Sequence, residues 1–73
     1  METPNFRIVE HIATISTSRR GTLELNRVSF NDYPAKLDLR RWGTGDDGER
    51  LPFKGIQLND MEFEALKSTL ERM

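Results

Sequence analysis

The sequence predicts an α+β fold in which a four-stranded antiparallel sheet is followed by one C-terminal helix. Three observations point to it. Four segments rich in β-branched, aromatic and leucine residues follow one another, separated by turn-forming residues. Residues 35–42 alternate apolar and polar with the period of a strand that has one covered face. Residues 59–73 carry the start signals and the apolar spacing of an amphipathic helix.

Residues 6–17, Phe6 to Thr17, read as a long first strand because Ile, Val and Thr dominate them. Arg19-Arg20-Gly21 supplies the turn into a second strand over residues 22–30. The apolar phase of that strand changes: Leu23 and Leu25 share one parity, Val28 and Phe30 the other. Side chains alternate strictly in a regular strand, so the change predicts a bulge or sharp bend near Asn26-Arg27. Asn31-Asp32-Tyr33-Pro34 is a turn by composition, with Pro34 holding Tyr33 extended.

In the third strand, residues 35–42, Leu37 and Leu39 face one way and Lys36, Asp38, Arg40 and Trp42 the other. A flexible loop is expected over residues 43–50, then a short fourth strand from Phe53 to Leu58. Asn59 is a good N-cap, and Glu62 is placed to complete a capping box. Phe63, Leu66, Leu70 and Met73 form one stripe at helical spacing. Residues 1–73 make a single domain, with residues 1–5 expected to be flexible.

A chain of 73 residues buries only about 60% of the surface its unfolded form exposes. It has no cysteine, and the lone His11 cannot build a metal site by itself. The remaining route to buried area is self-association, so a homodimer is expected. No apolar run approaches the ~20 residues that cross a bilayer, and no signal-peptide pattern opens the chain. Together with the lack of cysteine this fits a cytoplasmic protein with no membrane partner. The net charge of −1 argues against a generic polyanion binder. Its distribution is uneven, however. Residues 1–41 carry seven Lys/Arg against five Asp/Glu, and residues 42–73 carry four against seven.

Gly43-Thr44-Gly45-Asp46-Asp47-Gly48 matches G-x-G-x-x-G, but Pro52 and a strand follow where a phosphate-binding loop needs a helix N-terminus. The alternating ligands and closing glutamate of a calcium loop are absent too. His11 stands mid-strand with no companion for a nucleophile–base pair, so no catalytic residue, cofactor, metal or small-molecule substrate is expected.

The polar face of the third strand is more informative. Lys36 and Arg40 place cations at multiples of about 7 Å, with Trp42 as an aromatic plate at the end. Phe30 on the neighbouring strand offers a second plate. Cations displace counterions from phosphates, and any base stacks on a ring. The competing interpretation is that Trp42 is core and the charges solvate an exposed face.

The run Leu37-Asp38-Leu39-Arg40-Arg41-Trp42, a Gly/Asp loop, and then Lys54-Gly55-Ile56-Gln57-Leu58 leading into a capped helix resembles the transcriptional positive cofactor four (PC4) family. Glu24-Leu25-Asn26-Arg27-Val28-Ser29-Phe30-Asn31 looks like the second strand of its small bacterial, YdbC-type members. The resemblance covers about residues 6–72. It implies a curved sheet, a homodimer, and sequence-tolerant single-stranded DNA binding in transcription or genome maintenance. On this likeness Arg40 and Lys54 contact phosphates, Phe30 stacks on bases and Trp42 belongs to the aromatics closing the third strand. Lys36 and Arg27 would join them along the nucleic-acid backbone. Asn31 stands where eukaryotic members carry lysine. The alternatives are a protein-interaction module on the same fold, favoured by the acidic loop and net charge, and an RNA-binding module.

Overall fold

The computed structural model describes residues 6–73, and the flexible lead-in expected over residues 1–5 lies outside the described residues. Four strands, β1 (Phe6–Ser18), β2 (Gly21–Phe30), β3 (Lys36–Thr44) and β4 (Arg50–Leu58), precede one helix, α1 (Asp60–Glu71). They form a single antiparallel sheet in the order β1-β2-β3-β4. The α+β fold expected from the sequence is the fold observed.

The sheet is strongly curved, and β1 accounts for the curvature. It has 13 residues where β2 has 10. Three register shifts absorb the difference by skipping Val9, Ile12 and Ile15. Each extra residue bends its strand and adds right-handed twist. Phe6 pairs with Phe30 at one end of β2, and Trp42 pairs with Thr22 at the other. The rings of Phe6 and Trp42 nevertheless meet across the concave face, with centroids 5.7 Å apart.

The bulge or bend expected near Asn26-Arg27 falls on the partner strand: β1 skips Val9 beside Arg27 and Ile12 beside Asn26, while β2 itself pairs with β3 without interruption from Thr22↔Trp42 to Val28↔Lys36. The apolar phase change in β2 has another cause: both faces of this strand are used. Leu23 and Leu25 face the helix side together with Leu39. Val28 and Phe30 pair with Ile8 and Phe6 on the concave side.

The deepest burial lies on that concave side. Val28, Asn26 and Asp38 are almost inaccessible, and Trp42 is 4% exposed. On the helix side Leu37 is buried, but no residue of α1 is. Phe63, Leu66 and Leu70 stand off from Leu23, Leu25 and Leu39 around a cavity of about 220 Å³. The helix owes its start to local chemistry. The Asn59 side chain accepts the Glu62 N–H at 2.8 Å, and the Glu62 carboxylate accepts the Asn59 N–H at 2.9 Å.

Turn chemistry sets the hairpins. The Tyr33 N–H donates to the Phe30 carbonyl at 3.1 Å, around Asn31 and Asp32 at φ 51° and 66°. Two left-handed residues match the twist of the flanking strands, and Asn and Asp are the non-glycine residues that tolerate that conformation best. Strand β3 continues through Gly43 to Thr44 and β4 begins at Arg50, three residues before the expected start, so their connection is residues 45–49. Pro52 fits within β4 because this is an edge strand, where a missing N–H leaves no partner unpaired. Gly55 lies opposite Arg40. A Cβ there would overlap the Arg40 Cβ and crowd the Leu39 carbonyl, so β4 reaches β3 this closely only through glycine.

Gly55→Ala is therefore expected to lower stability by about 1–3 kcal/mol in chemical denaturation, as backbone has to shift away from Arg40. Unfolding at the wild-type midpoint would show that this contact has slack.

Candidate nucleic-acid interface

The concave face is built from cross-strand rows. Glu24 stands beside Arg40, which stands beside Gly55; Asn26 stands beside Asp38, and Val28 beside Lys36. Two carboxylates are thereby buried, and a buried charge requires a hydrogen-bonded partner. Asp38 has Arg40: Nε donates to both carboxylate oxygens at 2.8 and 2.9 Å, and Nη2 donates to Oδ2 at 2.7 Å. Arg40 Nη1 also donates to the Phe53 carbonyl at 3.0 Å, tying β3 to β4.

Glu24 has Arg50, whose Nη2 donates to Oε2 at 2.6 Å. It also accepts from the Thr22 hydroxyl at 2.5 Å and the Asn26 amide at 3.3 Å. Burial pushes the Glu24 carboxyl up. The hydrogen bonds from Thr22 and Asn26, with the charge and hydrogen bond of Arg50, prevail and hold it below its ordinary 4.5. His11 extends this network towards β1. Its Nδ1 lies 2.7 Å from Asn26 Oδ1, and its Nε2 lies 3.2 Å from the Thr14 hydroxyl.

Above this polar floor the aromatic residues and arginines form a groove of about 530 Å³, within the usual range of ligand sites at ~300–1,000 Å³. Phe6, Phe30, Arg40, Arg50 and Pro52 line it, with Glu49 at its wall. Phe6 packs edge-on against Phe30 at 5.9 Å and lies under the Arg40 guanidinium at 4.7 Å. Phe30 is 37% exposed and also borders a second, smaller hollow with Tyr33, Pro34 and Lys36. One track thus runs from exposed Tyr33 and Lys36, over Phe30, to Arg40 and Arg50.

The site residues read from the sequence divide into four groups. Phe30, Lys36 and Arg40 are brought together on this track. Trp42 is on the same face but presents no open ring: the Arg50 guanidinium lies 4.7 Å above it and Phe6 tilts against it. Its indole N–H is buried without an acceptor, which costs about 1–3 kcal/mol. Arg27 is the clear departure. It pairs across the sheet with Leu37, on the face opposite Asn26 and Val28, and its Nε meets Glu10 at 3.3 Å. Lys54 is exposed on β4 and, with Phe53, stands opposite Arg41 at a register shift.

Phe6, Tyr33 and Arg50 were not singled out by sequence reasoning. Phe6 and Arg50 join the site through sheet curvature and the β3–β4 register, and neither leaves a local signal. Tyr33 was assigned to a turn, which it does close; its exposure beside Lys36 is the additional fact.

Because folded Glu24 titrates below the unfolded group, its contribution to stability is complete above about pH 4.5 and is lost as pH falls through the folded value. Glu24→Gln is expected to cost about 1–3 kcal/mol near neutrality and to flatten that part of the acid profile. Urea melts at stepped pH and constant protein concentration measure both effects. Equal stability of the two proteins at neutral pH would remove the role given to the Glu24–Arg50 pair.

Comparison with known proteins agrees with this geometry. The family model of the Transcriptional Coactivator p15 (PC4) matches residues 17–69, from the end of β1 to the last turns of α1. A protein of Treponema pallidum (strain Nichols), itself named only as uncharacterized, is 34% identical over 70 residues, covering 94% of this chain and 79% of that relative. The chain belongs to the transcriptional coactivator p15 (PC4) family.

Proposed function

We propose that this protein binds single-stranded DNA on the concave face of its sheet, with little regard to sequence, in transcription or genome maintenance in the cytoplasm, and that it catalyses no reaction. The observation that carries the reading is the groove in which Phe6 and Phe30 stand beside Arg40 and Arg50. Aromatic faces take bases of any identity, and guanidiniums take the phosphates between them. Phe30 is the accessible plate, and Tyr33 extends it towards Lys36. Trp42 supports Arg50 from below, so the stacking role expected of it passes to Phe6 and Phe30. Lys36 and Lys54 are exposed cations with no ion pair among the described residues. Arg27, on the other face, is left outside the site.

One observation favours the rival reading of a protein-interaction module. Arg40 and Arg50 already neutralise Asp38 and Glu24, and Glu49 adds an acid to the groove wall. Titrating labelled oligo-dT, duplex of equal length and oligo-U against the protein separates the readings. Single-stranded DNA binding is expected, with log K falling against log salt at a slope of about −2 if about three phosphates are neutralised. Phe30→Ala should weaken it by about 1–3 kcal/mol. No affinity for any probe at low salt would leave the interaction module, and preference for oligo-U would make the ligand RNA. Arg40→Ala is a poor probe of binding, since it strands the buried Asp38 carboxylate and should itself destabilise the fold by about 3–5 kcal/mol.

The same reading makes the protein a homodimer. Its support is the apolar helix side, where no residue of α1 is fully buried and Leu70 is 56% exposed. Leu70→Glu should shift sedimentation towards monomer and lower stability. A wild type that sediments as a monomer at tens of micromolar, an order-of-magnitude working concentration, would end the dimer proposal.

A further inference from the structure

Where β2 turns into β3, the smaller hollow beside Phe30 has a volume of about 180 Å³ and is lined by Val28, Phe30, Tyr33, Pro34, Lys36 and Gln57. The register puts it on the same face of the sheet as the groove. Gln57 pairs with Asp38, Asp38 with Asn26, and Lys36 with Val28, and residues two apart on a strand share a face. Phe30 borders both cavities. About 150 Å³ is enough for one six-membered aromatic ring, so the hollow can take the ring of one base. Its chemistry differs from that of the groove. Buried Val28 forms an apolar base, and among the described residues no carboxylate lines it. Lys36 has no ion pair among them. The side-chain amide of Gln57 is exposed and makes no hydrogen bond among the described residues. The wall opposite is fixed in advance, because the Ser29 hydroxyl donates to the Tyr33 carbonyl at 2.8 Å.

We propose that this hollow reads one base of the bound strand, with the Gln57 amide hydrogen-bonded to the base edge, and that it prefers adenine. The proposal rests on the groove reading: bases elsewhere on the track only stack, and the one that lies beyond Phe30 is read. A carboxamide presents a donor and an acceptor side by side, and glutamine makes a two-bond pair with adenine. Adenine suits it best of the four bases. Its N6 amino donor has a ring-nitrogen acceptor on each side, N7 and N1, and a single strand leaves both edges free. Its two fused rings also cover more of the Phe30 ring than a pyrimidine does. Lys36 stands at the edge of the hollow, where it takes the phosphate of the same nucleotide.

The test uses oligo-dT of about 8 nucleotides, within the span of single-strand site sizes, and three versions in which one central thymine is replaced by adenine, cytosine or guanine. The full chain, Gln57→Ala and Gln57→Glu are titrated with all four, and the ratio of affinities between probes is read for each protein. Such a ratio does not depend on the folded fraction, so a variant that folds poorly still decides the question. The wild type should bind the adenine probe about 5- to 100-fold more tightly than oligo-dT, the size of one two-bond base contact. Gln57→Ala should bring that ratio close to one. Gln57→Glu should move the preference to cytosine, since a carboxylate accepts from the cytosine N4 amino group and is repelled by the ring acceptors on both sides of adenine N6. Equal wild-type affinity for all four probes, or a preference for another base, overturns the proposal and leaves the groove reading standing. An adenine preference that Gln57→Ala retains also overturns it, by placing the selection elsewhere on the track. A wild type that binds none of the probes overturns both readings.

Discussion

Strand β1 runs 13 residues beside the 10 of β2, and the surplus has to be accommodated within the pairing. Three bulges take it up, and the bend they impose folds the concave face in on itself. Without that bend Phe6 and Trp42 would sit at opposite corners of an open sheet. With it, Phe6 lies under the Arg40 guanidinium and touches Trp42, and a chain of this size acquires a small core on the side away from its helix. The irregular edge has a second effect. Bulges along β1 make it a poor template for adding another strand, so a long edge rich in Val and Ile is less exposed to uncontrolled pairing.

The core so formed is partly ionic, and this ties the fold to the site. Asp38 and Glu24 are buried, and Arg40 and Arg50 are their counterions. The same guanidiniums line the groove. In the proposed binding mode a phosphate approaching Arg50 competes with the Glu24 carboxylate for its donors, so binding and stability draw on one set of hydrogen bonds. Such a surface is preorganised, because Arg40 is fixed by Asp38 and by the Phe53 carbonyl before any ligand arrives. It is also less electropositive than a count of its arginines implies. On this face the exposed Lys36 carries charge that no ion pair among the described residues compensates.

The helix side follows a different logic. Helix α1 begins at a complete capping box and carries a regular apolar stripe, yet none of its residues is fully buried. Its leucines and those of the sheet enclose a cavity without filling it. A monomer of this size has little apolar burial to spare. In the proposed dimer a second copy covers this side, and the charged concave face stays open for its ligand.

Element order, the Asn31-Asp32 turn, the Asn59 cap and the alternation of β3 were all determined by the sequence alone. Each is a short-range matter: a turn, a cap or a period is specified by residues within a few positions of one another. The pairing of Leu37 and Leu39 against Lys36, Asp38 and Arg40 was legible for the same reason, as was the likeness carried by Lys54-Gly55-Ile56. The phase change in β2 was equally visible, but a strand with two packed faces gives the same pattern as a bulge. Only its neighbours' registers distinguish the two. The tertiary structure alone decided that Arg27 lies on the opposite face, that Trp42 is covered, and that Phe6 and Arg50 enter the site. Glu24 and Arg50 meet from 26 positions apart, and Phe6 and Trp42 meet across a diagonal of the sheet. Such contacts depend on three registers and one curvature together, and no local stretch of sequence encodes them.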